Sequence, residues 1–216
     1  MRVGAGSTGR RVAQVALLAG VLAGCSGTGE EAGEGDSKKS ASPSAPARTS
    51  GAEGADATAA SSGGTIGAAG SACELPVTFD TVTNWRAEAV EAPLRQGPVT
   101  LACEIDAKPA GNIGFLRVWA AKSGDGDARS VLKAFVAGED GASEEKYGTF
   151  TSGGLTGVEV EYLYTSELLE ETKKERALAV VTPDGPVVLH LGGLDTEEHE
   201  EMLPAYDLAK RTLRTA

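Results

Sequence analysis

The sequence predicts an α+β fold: a twisted, mostly antiparallel sheet with a helix on each side. Three observations lead there. Short segments between residues 100 and 191 alternate apolar with polar residues, or are apolar on both faces, and are separated by Gly, Pro and Asn turn signals. Two other stretches, 128–137 and 195–214, place their apolar residues at helical spacing instead. The resulting order is strands, helix, strands, helix, and the connections are short, which makes neighbouring strands mostly antiparallel.

Before this pattern begins, Arg2, Arg10 and Arg11 precede a mostly apolar run over residues 12–23. That run has the length of a secretory leader's core and falls short of the roughly 20 residues a membrane-spanning helix needs. It closes on Leu22, Ala23, Gly24 and Cys25, a tetrad that resembles the lipobox of bacterial lipoproteins. The resemblance implies that Leu22, Ala23 and Gly24 are the signal-peptidase recognition residues. The thiol of Cys25 then takes a diacylglycerol, the leader is cut before it, and the new amine can be acylated. The competing reading is an ordinary signal peptide that happens to be cut near a cysteine. Each buried CH₂ contributes about 0.8 kcal/mol, so one chain binds reversibly and two hold stably. The expected address is therefore the cell membrane, lipid-anchored and facing outside the cytoplasm. No other apolar run reaches spanning length.

The chain then divides into a leader (1–24), a lipidated cysteine with a disordered linker (25–71) and a folded domain (72–216). Residues 26–71 are almost entirely Gly, Ser, Ala, Thr, Pro and acidic residues, with Ile66 the one large aliphatic. Such a stretch buries too little apolar surface to offset its ordering entropy. As a Gly/Ser-type coil it reaches about 35–40 Å. Its Ser-Pro-Ser-Ala-Pro segment either carries O-glycans or is a bare spacer. The whole chain has a formal net charge of −11, which argues against nucleic acid and against adhesion to anionic headgroups. With Cys25 given to lipid, Cys73 and Cys103 form the remaining pair, in a compartment where disulfides persist. Such a bridge contributes about 3–4 kcal/mol in the chain-entropy model.

Within the domain, residues 73–79 read as a short strand and 86–90 as a second extended piece. Residues 100–106 alternate, with Leu101, Cys103 and Ile105 on one side. A turn at 108–112 leads to residues 113–121, apolar on both faces and hence central. Asp127 caps a helix over 128–137 whose buried side is Val131, Leu132, Phe135 and Val136. The preceding Gly-Asp-Gly-Asp run lacks the spaced ligands of a calcium loop. Residues 146–152 give a modest strand, and 158–165 turn Val158, Val160, Tyr162 and Tyr164 inward. After a charged connection at 166–174, residues 176–182 and 187–191 pair across a Pro183-Asp184-Gly185 turn. Asp195 caps the last helix with Glu198 as capping-box partner, and Met202, Tyr206, Ala209 and Leu213 form its buried stripe. Pro204 either kinks that helix or starts a second one.

The chemistry is sparse. Neither histidine lies in a metal or catalytic motif: His199, among glutamates, reads as a solvated helix-start residue, and His190 as a half-buried strand residue. No nucleophile elbow, phosphate loop or dinucleotide fingerprint occurs in the folded part, so no catalytic residue, metal ligand or cofactor is assigned. Phe115, Arg117 and Trp119 share one strand face and form the candidate partner-binding residues, an arginine between two aromatics. Alternatively the closing helix covers that face and Arg117 reaches its edge to meet a glutamate.

The element order, the early aromatic piece around Trp85 and the run ERALAVVTPDGPVVLHLGG before a closing helix look like the Mog1/PsbP-like fold. More narrowly they resemble its small actinobacterial lipoproteins, the LpqN-type group. The resemblance implies an α-β-α sandwich and a non-enzymatic binding or assembly role for a protein or cell-envelope component. It supplies no motif from which to transfer a functional residue. The alternative is a small envelope enzyme or enzyme accessory.

Overall fold

The computed structural model describes residues 60–216 apart from 93, 124, 125, 167 and 169. The tetrad Leu22, Ala23, Gly24 and Cys25, most of the expected linker and Asp125 lie outside the described residues. The described fold starts earlier than residue 72. Strand β1 (Ser62–Ile66) pairs antiparallel with β2 (Val77–Val82) inside what the sequence marked as linker. The reason is steric permission: a side chain at Gly63 would lie 2.4 Å from the Thr83 nitrogen, and one at Gly67 would lie 1.9 Å from the Val77 carbonyl oxygen. Glycine lets the two backbones approach, and Ile66 is buried to hold the strand.

The chain continues through β3 (Arg86–Ala89), β4 (Arg95–Gln96), β5 (Val99–Asp106) and a 3-10 turn at Lys108–Ala110 into β6 (Gly114–Ala120). Helix α1 (Ala128–Val136) is followed by β7 (Ala142–Ser152), β8 (Leu155–Thr165), β9 (Thr172–Thr182) and β10 (Gly185–Gly193). Helix α2 (Thr196–Thr212) and β11 (Arg214–Thr215) complete the fold. The main sheet runs β3-β5-β6-β10-β9-β8-β7 with β4 alongside β5, and its pairs are antiparallel. A small second sheet, β1-β2-β11, was not foreseen; of the expected first strand at 73–79 only residues 77–79 belong to it, as the start of β2. The fold is thus α+β, and no helix among the described residues is long and apolar enough to cross a membrane.

Two apolar layers line the main sheet. On one face, Val131, Leu132, Phe135 and Val136 of α1 pack on Trp119, Val160, Ala177, Ala179 and Val188. On the other, Met202, Tyr206 and Ala209 of α2 pack with Phe79 of the small sheet on Leu116, Val118, Leu189 and Leu191. β5 departs from the expected alternation. Leu101 pairs with Trp119 but Cys103 pairs with Val118, so Ala102 is an extra residue, a bulge that sends Leu101 to the α1 side and Cys103 and Ile105 to the α2 side. There Cys103 meets Cys73 in the expected disulfide.

Both helices begin as the sequence indicates. Asp127 accepts the Ser130 amide at 2.8 Å, and Asp195 accepts the Glu198 amide at 2.9 Å. Glu198 does not close a capping box, because its carboxylate takes the Ile113 amide at 3.0 Å and ties α2 to the start of β6. α2 is one helix through Pro204. An interior proline costs about 3 kcal/mol or more, and the burial of Met202, Ala205 and Tyr206 on either side of it offsets that.

Candidate functional site

Beneath the C-terminal end of α1, four strands and one turn bring polar side chains into an otherwise apolar layer. In the register of β8 and β9, Tyr162 stands opposite Glu175; His190 of β10 stands opposite Ala177, two residues along on the same face. Glu139 comes from the turn just past α1. The Tyr162 hydroxyl donates to Glu139 Oε2 at 2.7 Å and lies 3.1 Å from both Glu175 Oε2 and His190 Nε2. His190 Nε2 shares a hydrogen with Glu175 Oε2 at 2.6 Å. Outside this ring, Lys173 pairs with Glu175 Oε1 at 2.8 Å and donates to the Gly193 carbonyl at 2.6 Å. Gln96 donates to Glu139 Oε1 at 3.0 Å. The Phe135 ring stands edge-on to His190, centroids 5.5 Å apart, and edge-on to Trp119 at 5.4 Å.

Burial and charge set the protonation of this cluster. Burial pushes the Glu175 carboxyl up, but the charges and hydrogen bonds of His190 and Lys173 outweigh it and hold it down at about 2. Burial pushes His190 down, and Glu175 with Glu139 overcomes that, leaving the imidazole raised. Burial and the two carboxylates raise the Tyr162 phenol far enough that it stays a neutral donor. Glu175 and His190 each keep only 4% of their surface, so no outside substrate touches either in this arrangement. Lys173 does line an open hollow of about 220 Å³ with Tyr164, Thr172, Gly193 and Leu194. A wider groove of about 850 Å³ lies elsewhere, at Glu74, Arg95, Thr100, Lys122 and Asp184.

The expected partner-binding trio is split. Trp119 is buried against Phe135, so α1, not the closing helix, covers that end of β6. Phe115 and Arg117 remain half-buried beyond it. The Arg117 guanidinium lies 4.9 Å from the Phe115 ring centroid and pairs with Glu104 at 2.7 Å, the edge glutamate of the alternative reading. His199 is not solvated: it is 1% exposed, and its Nδ1 has no hydrogen-bond partner among the described residues. Burial first, then the nearby Arg176, lower it to about 4. Sequence reasoning placed Tyr162 on an inward face but missed Glu139 and Glu175, which sit in a loop and at a strand start that read as charged surface.

In its path the chain is similar to the solution structure of cyanobacterial PsbP (CyanoP) from Synechocystis sp. PCC 6803. The identity is 11%, the TM-score is 0.49, and the match covers 65% of this chain and 87% of that one. It is also similar to LpqN of Mycobacterium tuberculosis, which is described as involved in cell envelope biogenesis. There the identity is 18%, the TM-score is 0.46, and 65% of this chain and 83% of that one are covered. No curated protein matches the chain. A family model described as "Uncharacterised lipoprotein" matches residues 43–213, nearly all of the folded part, and the chain therefore belongs to that lipoprotein family.

Proposed function

We propose that this lipoprotein is a membrane-tethered, extracytoplasmic binding or assembly module for a protein or another cell-envelope component, without catalysis of its own. The observation that carries the reading is the sealed state of His190 and Glu175. The densest set of acid–base groups among the described residues is bonded inward, where it supports the fold and meets no substrate. Among the described residues, the surfaces open to recognition include the groove at Arg95 and Lys122 and the half-exposed Phe115–Arg117 pair. Cys25 holds the domain at the membrane through its diacylglyceryl group.

Crosslinking the lipidated protein in its own envelope and identifying what is captured tests this directly. Capture is expected from wild type, and Cys25→Ser is expected to leave the membrane fraction after export. A Cys25→Ser protein that still sediments with membranes rejects the anchor. Arg117→Ala is expected to weaken capture while changing stability by no more than about 1 kcal/mol, the usual worth of a solvent-screened ion pair. Unchanged capture with a large fall in melting temperature rejects that face as the binding surface. One observation favours a second reading, a small envelope enzyme: the 2.6 Å contact between His190 and Glu175. That reading requires α1 to lift, and it predicts turnover that His190→Gln abolishes while capture persists.

A further inference from the structure

Glu139, Glu175 and His190 offer ligand atoms that all lie within 4.8 Å of one another, the one such group among the described residues. Their two carboxylates are used in the same way. Each gives one oxygen to a fixed outer partner, Lys173 for Glu175 Oε1 and Gln96 for Glu139 Oε1. Each turns the other oxygen inward, toward Tyr162 and, for Glu175, His190. Outer hydrogen bonds that orient carboxylates toward a common centre are the supporting arrangement of metal sites. The inward set is one imidazole nitrogen, two carboxylate oxygens and the Tyr162 hydroxyl. The hydroxyl lies 2.7 Å from Glu139 and 3.1 Å from Glu175 and His190, Glu175 and His190 are 2.6 Å apart, and the Glu139 carboxylate stands 3.9 Å from His190. Around a tetrahedral ion with bonds near 2.0–2.2 Å, such donors stand roughly 3.4 Å apart. To accept one, the contacts of Tyr162 and of Glu175 with His190 open slightly while Glu139 closes on His190.

We propose that Glu139, Glu175 and His190, with the Tyr162 hydroxyl as fourth donor, form a buried structural site for a first-row divalent metal ion, zinc above all. The ion replaces the hydrogen that His190 Nε2 shares with Glu175. An imidazole with hard oxygens and no thiolate suits zinc or manganese, and both domain cysteines are committed to the disulfide. Four protein donors leave no open position, which is the character of a structural and not a catalytic centre. The site would fasten the end of α1, through Glu139, to β8, β9 and β10. It goes beyond the binding role above and does not depend on it.

The test uses the full mature chain, stripped with chelator and titrated with Zn²⁺, with Mn²⁺ and Ca²⁺ in parallel. One equivalent of zinc is expected to bind and raise the melting temperature, and X-ray absorption is expected to show a nitrogen/oxygen shell with one imidazole. Glu139→Gln keeps an acceptor for Tyr162 and is expected to lose that equivalent while the stripped protein melts near wild type. Gln96→Ala, which removes only an outer partner, is expected to weaken zinc by about 10–100-fold. His199→Gln, at the glutamate-rich start of α2, is expected to bind as wild type does. Absence of a saturable equivalent in wild type overturns the proposal. So does zinc affinity unchanged by both Glu139→Gln and Gln96→Ala, or zinc lost in His199→Gln.

Discussion

Burial keeps the His199 imidazole neutral down to about 4, whereas in the unfolded chain it titrates near 6.5. As pH falls through that window the unfolded state takes up a proton that the folded state refuses, so stability drops from pH 6.5 toward 4 and then levels. The full shift corresponds to on the order of 3 kcal/mol. His190 has the opposite sign: its raised value keeps its contribution intact below 6.5 and loses it only as pH rises through the folded value. Glu175, held at about 2, loses its contribution only as pH falls from its ordinary 4.5 through that value. Urea unfolding at pH 7, 5.5 and 4 is therefore expected to show a fall that His199→Gln flattens. This histidine shows how a legible pattern was overruled by its neighbours. Residues 199, 202, 206, 209 and 213 continue one stripe at spacings of three and four, and all five are buried. Yet Glu197, Glu198, Glu200 and Glu201 around His199 made it read as solvated.

Among the elements, α1 was the most legible and β1 the least. The stripe and cap of α1 are local signals, and they predict their own removal. Asp127→Ala is expected to lower the melting temperature modestly through the lost Ser130 contact. Phe135→Ala, which strips both Trp119 and His190 of a ring partner, is expected to cost about 3–5 kcal/mol in thermal or urea unfolding. β1 carries no such signal, because Ser, Gly and Thr become a strand only when β2 arrives beside them. The first residues of β9 were hidden for a related reason. Lys173 and Glu175 read as loop charges until Gly193, His190 and Tyr162 are placed around them by distant chain. The polar cluster as a whole is assembled from four strands and a turn, so no spacing in the sequence announces it.

At the scale of the molecule, two apolar layers on opposite faces of one sheet depend on different parts of the chain. The α2 layer contains the small sheet and the Cys73–Cys103 bridge, whose sequence separation is 30. Replacing both cysteines by serine is expected to lower unfolding free energy by about 3–4 kcal/mol, read by urea unfolding against the oxidised wild type. The loss is expected on the whole transition, because the bridge joins the segment before β2 to β5 at the centre of that layer. The fold class, the central place of β6 and the bridge were all readable in advance, since they follow from alternation and cysteine count. What was not readable was which side of the sheet each half of β5 would face.

The bulge at Ala102 bears on how the protein matures. Ala102 acts as a half-step in the phase of β5, and a chain that pairs β5 with β6 without it aims Cys103 at α1, away from Cys73. Oxidation then becomes a check on alignment: only the correctly offset hairpin can be locked, and a slipped one stays reduced and free to try again.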